Sequence, residues 1–389
     1  PGADLVSVSF PVGSPAVCER SNAASLKHGF YGSDQLTLSG AFRAVTGGVV
    51  LLDIARRMEK LCPKAWLADF ANPVAVYSGM VNNHTRVRAL GICGGMNNYR
   101  WDLERLLFDR DAYGDGFEVA VAGVNHFSFI VRGTCKGRDL YPLLRRRILR
   151  PGWAPCHMPL FPKYEAAFRQ GLVQFADVLR RFGLLIFSGE TDGLMHLFPD
   201  ETVDDWRKTF RPMAAAQLGT LARQSAEGRA RADAAFRAHL DRPLDAAFWA
   251  QTTLQNPHFG AALSDPTVAV IRALAGPRPQ WLAASYPSRG AVRGFKDRTV
   301  LEYSFRLDRR GVHPDPDLEV PACFHGLITA LAEHQTLLGD AIAARDPRLF
   351  AHALFAYPLQ QSTRRARALW RDLLRIHAPE MPAVFQKAK

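Results

Sequence analysis

Apolar and small polar residues alternate over Asp4–Phe10 (DLVSVSF), which predicts a strand near the front of the chain. Thr46–Leu61 repeats apolar positions at helical spacing and stops at Cys62-Pro63, so a helix is expected there. Trp66–Phe70 is a short apolar run that predicts a buried strand, and Ala71-Asn72-Pro73 closes it with an Asn-Pro turn signal. Val74–Asn82 predicts the next helix, Arg86–Ile92 the next strand, and Asn98–Phe108 another helix. The turn Gly91–Gly95 (GICGG) separates the last two, and its glycines are expected to supply left-handed backbone. Phe117–Gly123 and Phe127–Arg132 predict two further strands on either side of Asn125 and His126.

Strands alternating with helices imply βαβ units and a parallel sheet. Residues that follow such strands face the ligand crevice. Asn72, Cys93 and His126 each follow one. Beyond about residue 150 the pattern turns helical, over Tyr164–Phe182, Thr202–Ala232, 232–254, Val268–Leu274, Phe324–Arg345 and Arg364–His377. Short strands are expected at Gln280–Ala284 and Thr299–Phe305. The fold class expected is α/β: an incomplete Rossmann-like parallel sheet over residues 1–125, then a mainly helical α+β region over 126–389.

Composition narrows the partners. Of 389 residues, 48% are hydrophobic and 22% charged, enough for a large core. The net charge is +12, and arginine supplies nearly all of the excess. Its clusters, Arg145–Arg150, Arg223–Arg231 and Arg364–Arg375, do not interleave with aromatics, so no nucleic-acid partner is expected. Six cysteines occur without a CxxC, which disfavours a disulfide framework or zinc ribbon and leads us to expect a reducing, cytoplasmic setting. No basic-then-apolar leader pattern and no apolar run near about 18 residues is seen, so neither a signal peptide nor a membrane span is expected.

Two segments carry candidate chemistry. Cys93, set among glycines, has the soft thiolate of a metal ligand, or is a buried structural cysteine. His126 in AGVNHF is a metal ligand or acid–base group, or a satisfied, partly buried histidine. Glycine motifs of the GxGxxG kind, which cradle a cofactor pyrophosphate after a strand, are not found.

The order strand–Asn-Pro, then Gly-Ile-Cys-x-Gly, then about thirty residues, then Ala-Gly-Val-Asn-His-Phe resembles glycoside hydrolase family 4. Gly47–Pro73, Lys27-His28-Gly29 with Gly32 and Gly40, Pro287–Gly290, Val300-Leu301-Glu302 and Leu318–Phe385 extend the resemblance over nearly the whole chain. It implies a lactate/malate dehydrogenase-like architecture and a glycosidase that departs from the paired-carboxylate scheme. In that route the sugar is oxidised at C3 by hydride transfer to NAD, its C2 proton is removed, the aglycone is eliminated, water adds and the ketone is reduced again. The resemblance further implies NAD and a divalent metal, usually Mn2+, with Cys93 and His126 as the protein's metal ligands. Asn72 is implied beside cofactor and sugar, Asn125 beside the sugar, and a dimer or tetramer as the assembly. Arg289, with Arg86 and Arg88, is a candidate for an anionic group on the substrate. Glu190, Asp192 and His196 are candidates for the C2 base by position.

Departures from the family fall near the site. Gly94 stands where the family commonly has His or Asp, Asp34–Gly40 (DQLTLSG) replaces a glycine-rich loop, and Ser285 and Ser288 replace two asparagines. Asp4–Phe10 resembles the family's fourth strand, so the first, cofactor-holding βαβ unit is expected to be absent from this chain and NAD binding to be weakened. These departures motivate an alternative, a non-catalytic sugar- or nucleotide-binding descendant. A 2-hydroxy acid dehydrogenase is disfavoured, because it gives no role to a thiolate.

Overall fold

The computed structural model describes residues 1–387 except 11, 157–164, 188–192, 194, 240–265 and 361. Strands β1 (Leu5–Val8), β2 (Trp66–Asp69) and β3 (Arg88–Gly91) pair in parallel. Helices α1 (Pro15–Lys27) and α2 (Leu38–Leu61) link β1 to β2, and α3 (Val74–His84) links β2 to β3. This is the βαβ portion that the sequence pattern predicts.

The parallel pattern stops there. β4 (Phe117–Val124) and β5 (Phe127–Cys135) form an antiparallel hairpin with Asn125 and His126 as its turn. The parallel pairing expected from the sequence does not extend to this pair of strands, for a simple reason. Two residues cannot hold a crossover, which takes a dozen or more, whereas they suffice for a hairpin. β6 (Arg138–Asp139), β7 (Gln280–Pro287), β8 (Val300–Asp308) and β9 (Gly311–Pro314) complete a nine-stranded mixed sheet of order β1-β2-β3-β7-β8-β4-β5-β6, with β9 on β8. The antiparallel part joins the parallel part through the register pair Gly91↔Ser285. The division expected at residue 125 falls in the hairpin turn, inside this one sheet.

The helices that follow are α4 (Gly95–Phe108), α5 (Leu140–Ile148), α6 (Glu165–Phe182), α7 (Pro199–Thr209), α8 (Ala215–His239), α9 (Pro266–Ala275), α10 (His325–Ala344), α11 (Pro347–Ala356) and α12 (Thr363–His377). The single helix expected over Thr202–Ala232 is divided into α7 and α8. Phe210 is extended and Pro212 lacks a backbone donor, so the helical ladder cannot run through. The part of the expected 232–254 helix from residue 240 on lies outside the described residues. α1 and α11 were not anticipated, yet each has a side-chain cap followed by proline: Ser14-Pro15 and Asp346-Pro347.

α2 begins eight residues before the predicted start. Thr37 caps it by accepting the Gly40 N–H at 3.0 Å, and the helix then runs for 24 residues. By length and composition it could cross a membrane, which corrects the expectation that no segment is apolar enough. In the fold 72% of its apolar window is buried. Phe42, Leu51 and Leu52 lie in the main core with Met80 of α3, Leu301 of β8, Leu338 of α10 and Phe350 of α11. α2 is therefore a core helix here.

Candidate active site

Cys93 lies two residues past the end of β3. The backbone of Ile92 donates to the Asp69 carbonyl at 2.8 Å, which ties this exit to β2. Gly91 is required by a close approach, since a Cβ there would stand 2.4 Å from the Val74 carbonyl oxygen at the start of α3. None of the glycines of this turn has a positive φ, so the expected left-handed backbone is not what they supply. Cys93 is half-buried, Gly94 is exposed, and α4 begins at Gly95.

His126 sits at the tip of the β4–β5 hairpin with φ 65°, a left-handed conformation that costs a side-chain-bearing residue energy. Its ring reaches the end of β3: Nε2 is 3.2 Å from Cys93 Sγ. Thus the two residues singled out in the sequence meet, although they come from the parallel and the antiparallel parts of the sheet.

What holds the tip comes from two sides. On one side, Gly193 packs against the turn so closely that a Cβ would lie 1.6 Å from the His126 carbonyl oxygen. The Gly193 carbonyl accepts the His196 N–H at 3.2 Å and lies 3.0 Å from His196 Nδ1. The buried His196 ring packs on Phe127, with centroids 5.3 Å apart. From within the sheet comes Glu302 of β8, which is 3% exposed. Asn125 Nδ2 donates to its Oε2 at 2.7 Å, and Ser128 Oγ donates to its Oε1 at 2.6 Å. Burial raises the Glu302 pKa, while the bonds from Ser128 and Asn125 and the nearby His126 oppose that rise.

The remaining candidates are placed as follows. Asn72 follows β2 at a cis Asn-Pro bond, is half-buried and donates to Asp34 Oδ2 at 3.1 Å. Arg289 is exposed, with its guanidinium 5.0 Å from the Tyr286 ring centroid. It lies past the end of β7, and the antiparallel Gly91↔Ser285 pairing carries that end back toward the start of β3, away from Cys93. Ser285 is buried with its hydroxyl unpartnered, and Ser288 Oγ accepts from Val292 N at 3.4 Å. Glu190 and Asp192 lie outside the described residues. Glu302, Gly193 and Asp34 are missed as site residues by sequence reasoning. The signal for Glu302 was present, because it is the one acidic residue within an otherwise apolar or small run, Val300–Phe305.

A thiol and an imidazole 3.2 Å apart form a pair of donors suited to one divalent ion. Two protein donors leave coordination positions for substrate and water oxygens, which suit harder ions such as Mn2+. Among the described residues no group of three or more His, Cys, Asp or Glu side chains could hold a metal.

The chain matches known proteins across this architecture. Residues 1–108 match the family 4 glycosyl hydrolase model, and residues 121–360 match the family 4 glycosyl hydrolase C-terminal domain. An α-galactosidase of Bacillus subtilis is 34% identical over 115 residues, which is 30% of this chain and 26% of that enzyme's length. A 6-phospho-β-glucosidase of Escherichia coli is 23% identical over 98% of this chain and 79% of its own. Among solved structures, a 6-phospho-α-glucosidase from gut microorganisms in complex with NAD and Mn2+ superposes with a TM-score of 0.75 at 19% identity, covering 97% of this chain and 82% of that one. The matched family models together span most of the sequence, and the chain belongs to family 4 of the glycosyl hydrolases.

Proposed function

We propose that this protein cleaves the O-glycosidic bond of a small glycoside by the oxidation–elimination–addition–reduction route, with NAD as hydride carrier and a divalent metal, Mn2+, at Cys93 and His126. The observation that carries the reading is the 3.2 Å approach of Cys93 Sγ to His126 Nε2. Membership of the family and the likeness to an enzyme solved with NAD and Mn2+ support it. When bound, NAD would accept and return the hydride at C3, and the metal would act as a Lewis acid on the sugar oxygens.

The chain's own residues have distinct tasks in this reading. Cys93 and His126 hold the metal, with the thiol deprotonated and the imidazole neutral. Asn125, fixed by Glu302 through its NH2, leaves its amide oxygen beside His126 for the sugar hydroxyls. Asn72, held by Asp34, stands at the end of β2 for cofactor and sugar. His196, packed on Phe127, is the described candidate for the C2 base; Glu190 and Asp192 are the others. Relatives named for 6-phospho-glucosides make a phosphorylated sugar the first substrate class to try.

The test supplies the protein with NAD, Mn2+ and a thiol reductant, and offers nitrophenyl α- and β-glycosides in neutral, 6-phospho and uronic forms. The expected result is Mn2+-dependent nitrophenol release that slows when C2 carries deuterium. Absence of release from every member of the panel would remove this reading.

A further inference from the structure

We propose that Glu302 is a positioning residue for the metal-binding turn: it holds Asn125 and Ser128 so that the intervening hairpin tip sets His126 against Cys93. The inference rests on the reading of Cys93 and His126 as metal ligands. Its basis is that both carboxylate oxygens of Glu302 are used on one side. Oε2 takes Asn125 Nδ2 and Oε1 takes Ser128 Oγ. These two residues bracket His126 and Phe127. On the other side Glu302 is in register with Ser285, whose buried hydroxyl has no partner.

Chemistry fixes the direction of these bonds. Both oxygens of Glu302 accept, so the Asn125 amide turns its NH2 toward Glu302 and its carbonyl oxygen away. Charge-assisted bonds of this kind are shorter and stronger than neutral ones, in keeping with 2.6 and 2.7 Å. The tip they grip needs holding, because His126 is at φ 65°. Burying a carboxyl inside a sheet costs energy that an apolar side chain in β8 would not. Residues that orient metal ligands from behind typically change metal affinity by 10–100-fold when replaced.

The experiment titrates Mn2+ into the full chain by electron paramagnetic resonance, for the wild type, Glu302→Gln, Ser128→Ala and the double variant Glu302→Gln/Asn125→Asp. Glu302→Gln keeps the shape but exchanges charge-assisted bonds for neutral ones, with an NH2 in place of one acceptor oxygen, and is expected to weaken Mn2+ binding at least about tenfold. The double variant restores the pair with donor and acceptor exchanged, and is expected to recover most of the affinity. Ser128→Ala removes one bond of two and is expected to give a smaller loss in the same direction, and it decides the matter if Glu302→Gln fails to fold. Unchanged Mn2+ affinity in the folded variants overturns the proposal, as does a loss that the double variant does not recover. If the wild type binds no Mn2+, the ligand reading fails on its own. The metal-free alkylation rate of Cys93 by iodoacetamide, followed on its peptide, then reads the position of His126. A change of about threefold or more in Glu302→Gln supports the proposal, and an unchanged rate overturns it.

Discussion

Cys93 Sγ and His126 Nε2 lie 3.2 Å apart across 33 positions of sequence, one at the end of a parallel strand and the other at a hairpin tip. Their contact gives the first prediction. Cys93→Ser and His126→Asn are each expected to abolish Mn2+ retention and Mn2+-dependent glycoside cleavage. Cys93 is half-buried, so its serine variant should cost little stability, within about 0.5 kcal/mol. Metal content after gel filtration, together with thermal unfolding, checks both halves. A Cys93→Ser protein that retains Mn2+ would contradict the assignment.

Gly193 has no room for a side chain. The atom a Cβ would strike, at 1.6 Å, is backbone, the carbonyl oxygen of His126, which cannot rotate aside. Gly193→Ala should therefore push the hairpin tip away. A stability loss of about 1–3 kcal/mol is expected from overpacking, with a fall in Mn2+ affinity beside it. Denaturant unfolding and metal titration on the same preparation measure the two. Wild-type values in both would mean that the approach is looser than described.

Gly94 is the opposite case. A Cβ there meets nothing within 4 Å, and its φ of −60° suits any residue. Gly94→Asp should fold as well as the wild type. It should even gain a few tenths of a kcal/mol, because a carboxylate at a helix N-terminus is favourable. Having gained a proton-transferring group next to Cys93, it is expected to turn over a phenyl or alkyl glycoside faster than the wild type, where the leaving group needs a proton. Comparing kcat on nitrophenyl and alkyl substrates tests this. Equal ratios in both proteins would show that the glycine does not limit the reaction.

Two buried histidines predict a pH dependence of stability. Burial is the main cause that lowers His334 to about 4 and His377 to about 3, from an ordinary value near 6.5. In the unfolded chain both take up a proton as pH falls below about 6.5, while in the folded chain they stay neutral. The unfolded state then binds more protons, so stability is fully present above pH 6.5 and is lost as pH falls toward 4 and 3. Each contributes a slope of up to about 1.4 kcal/mol per pH unit. Urea unfolding at pH 7.5, 6.5 and 5.5 should show the decline, and His334→Gln/His377→Gln should flatten it. A flat wild-type profile would contradict the assignment of neutral folded histidines.

Much of this molecule was legible where local chemistry and final structure agree. β2, α3, β3, α10 and α12 follow their periodicity to within a few residues, and the Cys93 and Asn125-His126 motifs mark where the chain turns back toward the site. Pairing direction was less legible. Nothing local distinguishes Phe117–Gly123 from a parallel strand, and only the two-residue turn after Val124 requires the hairpin. Arg289 was placed from its position in a motif, but the register of β7 carries it toward the start of β3 and onto Tyr286. Glu302 shows the converse. Its partners Asn125 and Ser128 are more than 170 positions away, so its role becomes visible only when β8 lies beside β4.

The β3–β7 seam, made through Gly91↔Ser285, lies between the element that delivers the thiol and the hairpin that delivers the imidazole. An ion gripped by both would act as a clasp across that seam. It would bind the joined sheet and not its separated halves, adding about 2.7 kcal/mol at a hundred times its dissociation constant. Metal supply would then set how long the protein survives unfolding and proteolysis as well as how fast it works.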